Sequence, residues 1–180
     1  MKFRRKIRQK IVSAIAAVGL LLGVLFIPTA AHAYATTGCK WPTSAISVKM
    51  VSLPSGYDNY YTSAQTWNPT DVNIGYLASS TWSVAVQNDG ANGLDGTSTW
   101  TCSGGKTSAA KSWLNSNASQ AGSLSVAARQ AVWVHEFGHG LGLDHSSVGT
   151  IMYTCARCTY NDYGRNTPQS DDQNGVNAIY

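Results

Sequence analysis

The sequence is poor in charge, and nearly half of its basic residues are gathered at one end. Only 12% of the 180 residues are Asp, Glu, Lys or Arg. Six of the 13 basic residues (Lys2, Arg4, Arg5, Lys6, Arg8 and Lys10) precede residue 11, and no acidic residue does. Beyond residue 33 there are 7 basic and 9 acidic residues, a net charge of −2. A chain of that balance with no basic cluster excludes nucleic acid and anionic membrane as electrostatic partners. Internal repeats, linkers and a second domain are also lacking. Histidine is rarer still, with four in the chain.

The basic start is followed by an uncharged run over residues 11–27, then Pro28 and the small-x-small triplet Ala31, His32, Ala33. This order is that of an export signal. Cleavage is expected after Ala33, with Ala35 as the second choice. An uncleaved anchor is the competing reading, but the 17-residue run is shorter than the roughly 20 residues a span needs. Arg4 and Arg5 hint at twin-arginine export, yet the strongly apolar core suits the general secretory route. The expected product is residues 34–180, secreted and extracellular, with no membrane association after signal cleavage. Its 147 residues suffice for one domain with one core, and a monomer is expected.

Four cysteines remain in that product: Cys39, Cys102, Cys155 and Cys158. Exported chains oxidise their cysteines, and four allow three pairings. The favoured one joins Cys39 to Cys102 and Cys155 to Cys158. A redox or metal pair is the alternative for Cys155 and Cys158, but a metal there would need two more ligands and no histidine is spare.

Apolar patterning and turn residues predict strands over 45–51, 72–77, 82–87 and 109–114. Helices are predicted over 57–67, 125–141 and 170–179. The middle one opens on Ser123 or Ser125 as a cap and carries Val126, Val132, Trp133 and Phe137. The last has Asp171 and Asp172 where the helix dipole favours acids. Residues 88–105, rich in Gly, Asp, Thr and Ser, read as mostly loop. Mixed strands and helices give an α+β class.

Residues 135–145 read HEFGHGLGLDH, in the pattern HExxHxxGxxH. His135 and His139 stand four apart, so on a helix both project from one face and can grip one ion. Glu136 is placed to reach a water on that ion without being a ligand. Gly142 lets the backbone leave the helix through a conformation a Cβ resists, which brings round His145 as a third ligand. Three protein ligands leave a fourth tetrahedral position open, the pattern of a catalytic zinc site; structural sites are closed by four. Chance would produce such a pattern on the order of once in 100,000 chains of this length. All the histidines beyond the export signal are spent in it, which core packing does not explain. One Zn2+ is the expected cofactor and Glu136 the expected general base.

These residues, followed by Ser146 and by Thr150-Ile151-Met152-Tyr153, resemble the metzincin zinc peptidases, and within them the matrixins, the family of the matrix metalloproteinase catalytic domain and its bacterial relatives. Residues 170–180 resemble that family's closing helix. Trp41-Pro42 and Thr66-Trp67-Asn68 fit it more loosely. The resemblance implies a metzincin-like zincin fold: a twisted mixed sheet with an active-site helix and a C-terminal helix. It implies that Met152 is the Met-turn methionine, an apolar floor for the metal, which physically is almost the same as an ordinary core methionine. It also implies that Asp171 or Asp172 braces that turn, and that residues 154–168 wall a substrate pocket which a Cys155–Cys158 bridge would stiffen. Tyr153 stands one residue too early to act as the tyrosine ligand of some metzincins.

The chain departs from the family as well. No histidine is available for the second, structural zinc of matrix metalloproteinases. The oxygen-rich residues 89–96 offer a Ca2+ site, against the simpler reading of a polar turn. No propeptide is expected between the cut and Cys39, and the surroundings of Cys39 do not resemble a latency thiol. The implied function is a secreted metalloendopeptidase acting on peptide or protein substrates held extended along a sheet edge, with residues 82–87 and 109–114 both open as that edge. The alternatives are a zinc amide hydrolase acting on cell-wall peptides and a non-catalytic binding protein on the same scaffold.

Overall fold

The computed structural model describes residues 34–180; the expected export segment lies outside them. Strand β1 (Ala35–Thr36) leads to β2 (Ala45–Ser52), helix α1 (Tyr60–Gln65), β3 (Asn73–Tyr76), β4 (Trp82–Gln87), β5 (Gly96–Ser103) and β6 (Lys106–Asn115). Helix α2 (Val126–Leu141), β7 (Leu143–Asp144), α3 (Ala156–Tyr163) and α4 (Ser170–Ile179) complete the chain. Five strands form one sheet in the order β3-β2-β4-β6-β5. Its pairs are parallel except β5–β6, which is antiparallel. The mixed α+β class expected from the sequence is therefore present.

Helix α2 packs against β5 and β6. Its first turn is capped by Ser125, whose Oγ accepts from the Ala128 N–H at 3.2 Å. Its last turn closes on Gly142 in the left-handed region, φ 108°. Between them Val132, Trp133 and Phe137 are buried, while Val126 is exposed in the first turn. An aromatic series runs from Trp41, stacked on Trp82, through Phe137 to Trp133. Two indoles are anchored to the helix: Trp41 Nε1 donates to the Gly140 carbonyl and Trp67 Nε1 to that of Val134. Buried indoles need such acceptors, and here they fix where α2 lies.

Three readings need correction. Residues 88–105 are not mostly loop, because β5 occupies Gly96–Ser103 and pairs with β6 along its length. Its small and hydroxylated residues hide the apolar alternation by which a strand is recognised. The helix expected over 57–67 is shorter, since residues after Gln65 turn through i to i−3 bonds (Thr66 to Ser63, Trp67 to Ala64, Asn68 to Gln65). Helix α3 was not anticipated within residues 154–168. It opens on Cys155, whose sulfur accepts from the Cys158 N–H, and stops at Gly164 with φ 66°. The disulfides join Cys39 to Cys102 and Cys155 to Cys158, so Cys39 is not a free thiol.

Candidate metal centre and substrate cleft

His135 and His139 project from one face of α2, their Nε2 atoms 3.1 Å apart. His145 arrives from the other side of the Gly142 turn, its ring centroid 5.3 Å from that of His135 and 4.8 Å from that of His139. One nitrogen from each ring lies within 4.8 Å of the others. A Cβ at residue 142 would stand 2.1 Å from the Cys39 carbonyl oxygen, so glycine is required there by space as well as by φ. The turn is held from outside. Strand β1 pairs antiparallel with β7, and the Thr37 N–H and hydroxyl both donate to the Gly142 carbonyl.

The three imidazoles fit a cation. His135 Nδ1 meets the Ile151 carbonyl at 2.8 Å and His139 Nδ1 that of Leu143 at 2.9 Å. A carbonyl only accepts, so the hydrogen sits on each Nδ1 and the lone pair on each Nε2. Two facing lone pairs repel unless a cation lies between them. Zinc–nitrogen bonds of about 2.0–2.1 Å at a tetrahedral angle put two nitrogens roughly 3.3 Å apart, close to the spacing seen. Burial, and then the neighbouring His139, lowers the pKa of His135 to about 3; burial also lowers that of His139. Both rings are thereby kept neutral, as ligation requires.

Glu136 lies beside them, 4% exposed, and its Oε2 is buried with no hydrogen-bond partner. Burial raises its pKa to about 8. An orphaned buried carboxylate oxygen next to three converging imidazoles fits the chemistry of a metal-assisted base.

Met152, 1% exposed, follows the residue that receives His135 Nδ1. Its N–H and that of Ile151 donate to the two carboxylate oxygens of Asp172, and its carbonyl accepts from the Ser146 N–H. Ser146 Oγ in turn donates to Asp171. Both aspartates brace this turn, where one was expected.

A cleft of about 730 Å³ opens onto these residues. Gly96, Ser98 and Trp100 of β5 border it on one side, and Thr154, Cys155 and Arg157 on the other. Asp95 and Arg157 form an ion pair between the two walls. Trp100 stacks on His139 with ring centroids 6.5 Å apart. The sheet edge beside the site is thus β5; residues 82–87 and 109–114, considered for that role, lie in β4 and β6, both interior. The Asp95 carbonyl accepts from the Asn115 N–H. Antiparallel alternation then turns the backbone groups of Gly96, Ser98 and Trp100 toward the free edge.

In the loop considered for calcium, Asp89 accepts from Gln87 and Trp113, and Asp95 from Arg157. The Asn115 amide donates to the Gly90 and Leu94 carbonyls and to Asn92 Oδ1. A side-chain donor, the Asn115 amide, thus ties this loop together. Sequence reasoning missed β5, Trp100 and the Asp95–Arg157 pair.

Comparison with known proteins agrees with this geometry. A family model described as matrixin, a peptidase family, matches residues 58–180. No curated protein matches the chain. With a match over more than half its length, and a histidine cluster able to bind zinc at its centre, the chain belongs to the matrixin peptidase family.

Proposed function

We propose that this protein is a secreted zinc-dependent metalloendopeptidase, with residues 1–33 as its export signal and 34–180 as its catalytic domain. The observation that carries this reading is the convergence of three imidazoles beside a buried, unpartnered Glu136 oxygen in an open cleft. His135, His139 and His145 hold the ion, and Met152 packs in the turn that follows. A zinc ion held there would supply Lewis acidity toward a water and toward the scissile carbonyl. Glu136 takes the proton of that water, Oε2 being the oxygen without a protein partner, and returns it to the leaving amine. A neighbouring cation also draws the Glu136 carboxyl down from the raised value that burial imposes, toward ionisation at neutral pH.

The substrate adds to β5 as a further strand, bonded to the outward groups of Gly96, Ser98 and Trp100. The opposite wall, stiffened by the Cys155–Cys158 bridge and the Asp95–Arg157 pair, shapes the side-chain pocket. Among the described residues no helix is long and apolar enough to cross a membrane, and two disulfides suit an oxidising compartment. The test is zinc content together with casein cleavage by the wild type and by Glu136→Ala. One equivalent of zinc in both, with activity in the wild type alone, is the expected result. Zinc bound without activity in either would favour a binding protein, cleavage of cell-wall peptides but not casein a narrower amide hydrolase, and absence of zinc would overturn the reading.

A further inference from the structure

Strand β5 presents Gly96, Ser98 and Trp100 to one side, and each meets a residue of the metal helix α2. At Gly96 the approach is so close that a Cβ would stand 2.8 Å from Glu136 Cγ, 2.9 Å from its Oε1 and 2.9 Å from Val132 Cγ1. Any larger residue would have to push the Glu136 side chain aside. Two residues on, Ser98 Oγ donates to the Glu136 carbonyl at 2.8 Å. The Ser98 and Ser112 hydroxyls are also 2.8 Å apart, and Ser112 Oγ accepts from the Trp82 indole at 3.1 Å. Ser98 Oγ is thus within hydrogen-bonding distance of both the Glu136 carbonyl and Ser112 Oγ, and Ser112 Oγ also lies 3.4 Å from that carbonyl. A chain of hydrogen bonds therefore ties β4, β6 and β5 to the backbone of a single residue of α2, Glu136.

We propose that Gly96 and Ser98 are positioning residues for Glu136: Gly96 leaves the space its side chain occupies, and Ser98 holds its backbone. This rests on the reading of Glu136 as the base. The same two residues carry outward backbone groups to which a peptide would pair, so the strand that templates the substrate also seats the base. A peptide bound along β5 is thereby set in register with the carboxylate that acts on it, and misplacing a reacting group by about 1 Å is enough to cost on the order of a hundredfold in rate.

The experiment compares Ser98→Ala, Ser98→Thr and Gly96→Ala with the zinc-loaded wild type, reading kcat and KM on a fluorogenic peptide, zinc content and the urea midpoint. Ser98→Ala is expected to keep one equivalent of zinc and a KM within about twofold, while kcat falls about tenfold or more. Ser98→Thr, which keeps the hydroxyl, is expected to recover most of that loss. Gly96→Ala is expected to lower kcat further; should it not fold, the two Ser98 variants decide. A kcat for Ser98→Ala within about twofold of wild type, no recovery in Ser98→Thr, or a fall in kcat that merely follows lost zinc would each overturn the proposal. If Glu136→Ala is inactive and Ser98→Ala fully active, this proposal alone fails; if Glu136→Ala remains active, the assignment of the base fails with it.

Discussion

Asp172 is 1% exposed, and its two oxygens receive three backbone N–H groups, from Ile151, Met152 and Gln169. Burial raises its pKa and these bonds pull the other way. Asp172→Asn keeps the shape but turns one acceptor into a donor facing an N–H. We expect it to cost roughly 1–3 kcal/mol of stability, measured as a drop in the urea midpoint. Glu136 gives a prediction in pH. Its folded pKa is raised to about 8 from an ordinary 4.5, so the folded state binds more protons between those values and loses stability as pH rises through that window. Glu136→Gln cannot ionise. In chelator-treated protein its stability advantage over wild type should grow from pH 4.5 to pH 8, by urea unfolding at fixed pH; a difference independent of pH would refute it. The convergence of the three histidines was legible from sequence because the proposed ligation demands fixed residue types at fixed spacing. The second bracing aspartate was not, since helix-dipole preference alone cannot say which acidic side chain turns inward.

Among elements, α2 and the core strands were legible because their apolar faces repeat at helical or strand period, and α4 from its acidic first turn and its resemblance to the family's closing helix. β5 was not, for the reason that makes it useful. Its side facing α2 carries Gly96 and Ser98 because the helix comes too close for larger residues, and small polar residues read as loop. α3 was hidden because a disulfide sulfur caps it and few of its residues are buried. The disulfides differ in what they restrain. Cys39–Cys102 spans 63 residues and Cys155–Cys158 three, so chain entropy assigns them about 4 and about 2 kcal/mol. Replacing the first pair by serines should lower the urea midpoint more than replacing the second. Loss of the second should instead alter the ranking of peptides that differ next to the scissile bond; an unchanged ranking would show that the bridge plays no part in selectivity.

For the whole molecule, the α+β class followed from the mix of strands and helices, but the strand order β3-β2-β4-β6-β5 did not. Which parallel strands become neighbours depends on crossovers that leave no local trace in sequence. A site joining α2, the β7 turn and the Ile151–Met152 segment should couple metal to global stability. Chelation is expected to abolish cleavage and lower Tm, and free zinc a hundredfold above Kd to restore about 2.7 kcal/mol. An unchanged Tm on chelation would mean that the site is fully formed and held without the ion. The bonds from Thr37 to the Gly142 carbonyl join residues 105 apart in the chain. Loss of residues 34–37 would take both of these bonds from the Gly142 carbonyl, at the turn that carries His145. The strand nearest the proposed signal cut thus acts as a latch on the turn that presents the third proposed ligand.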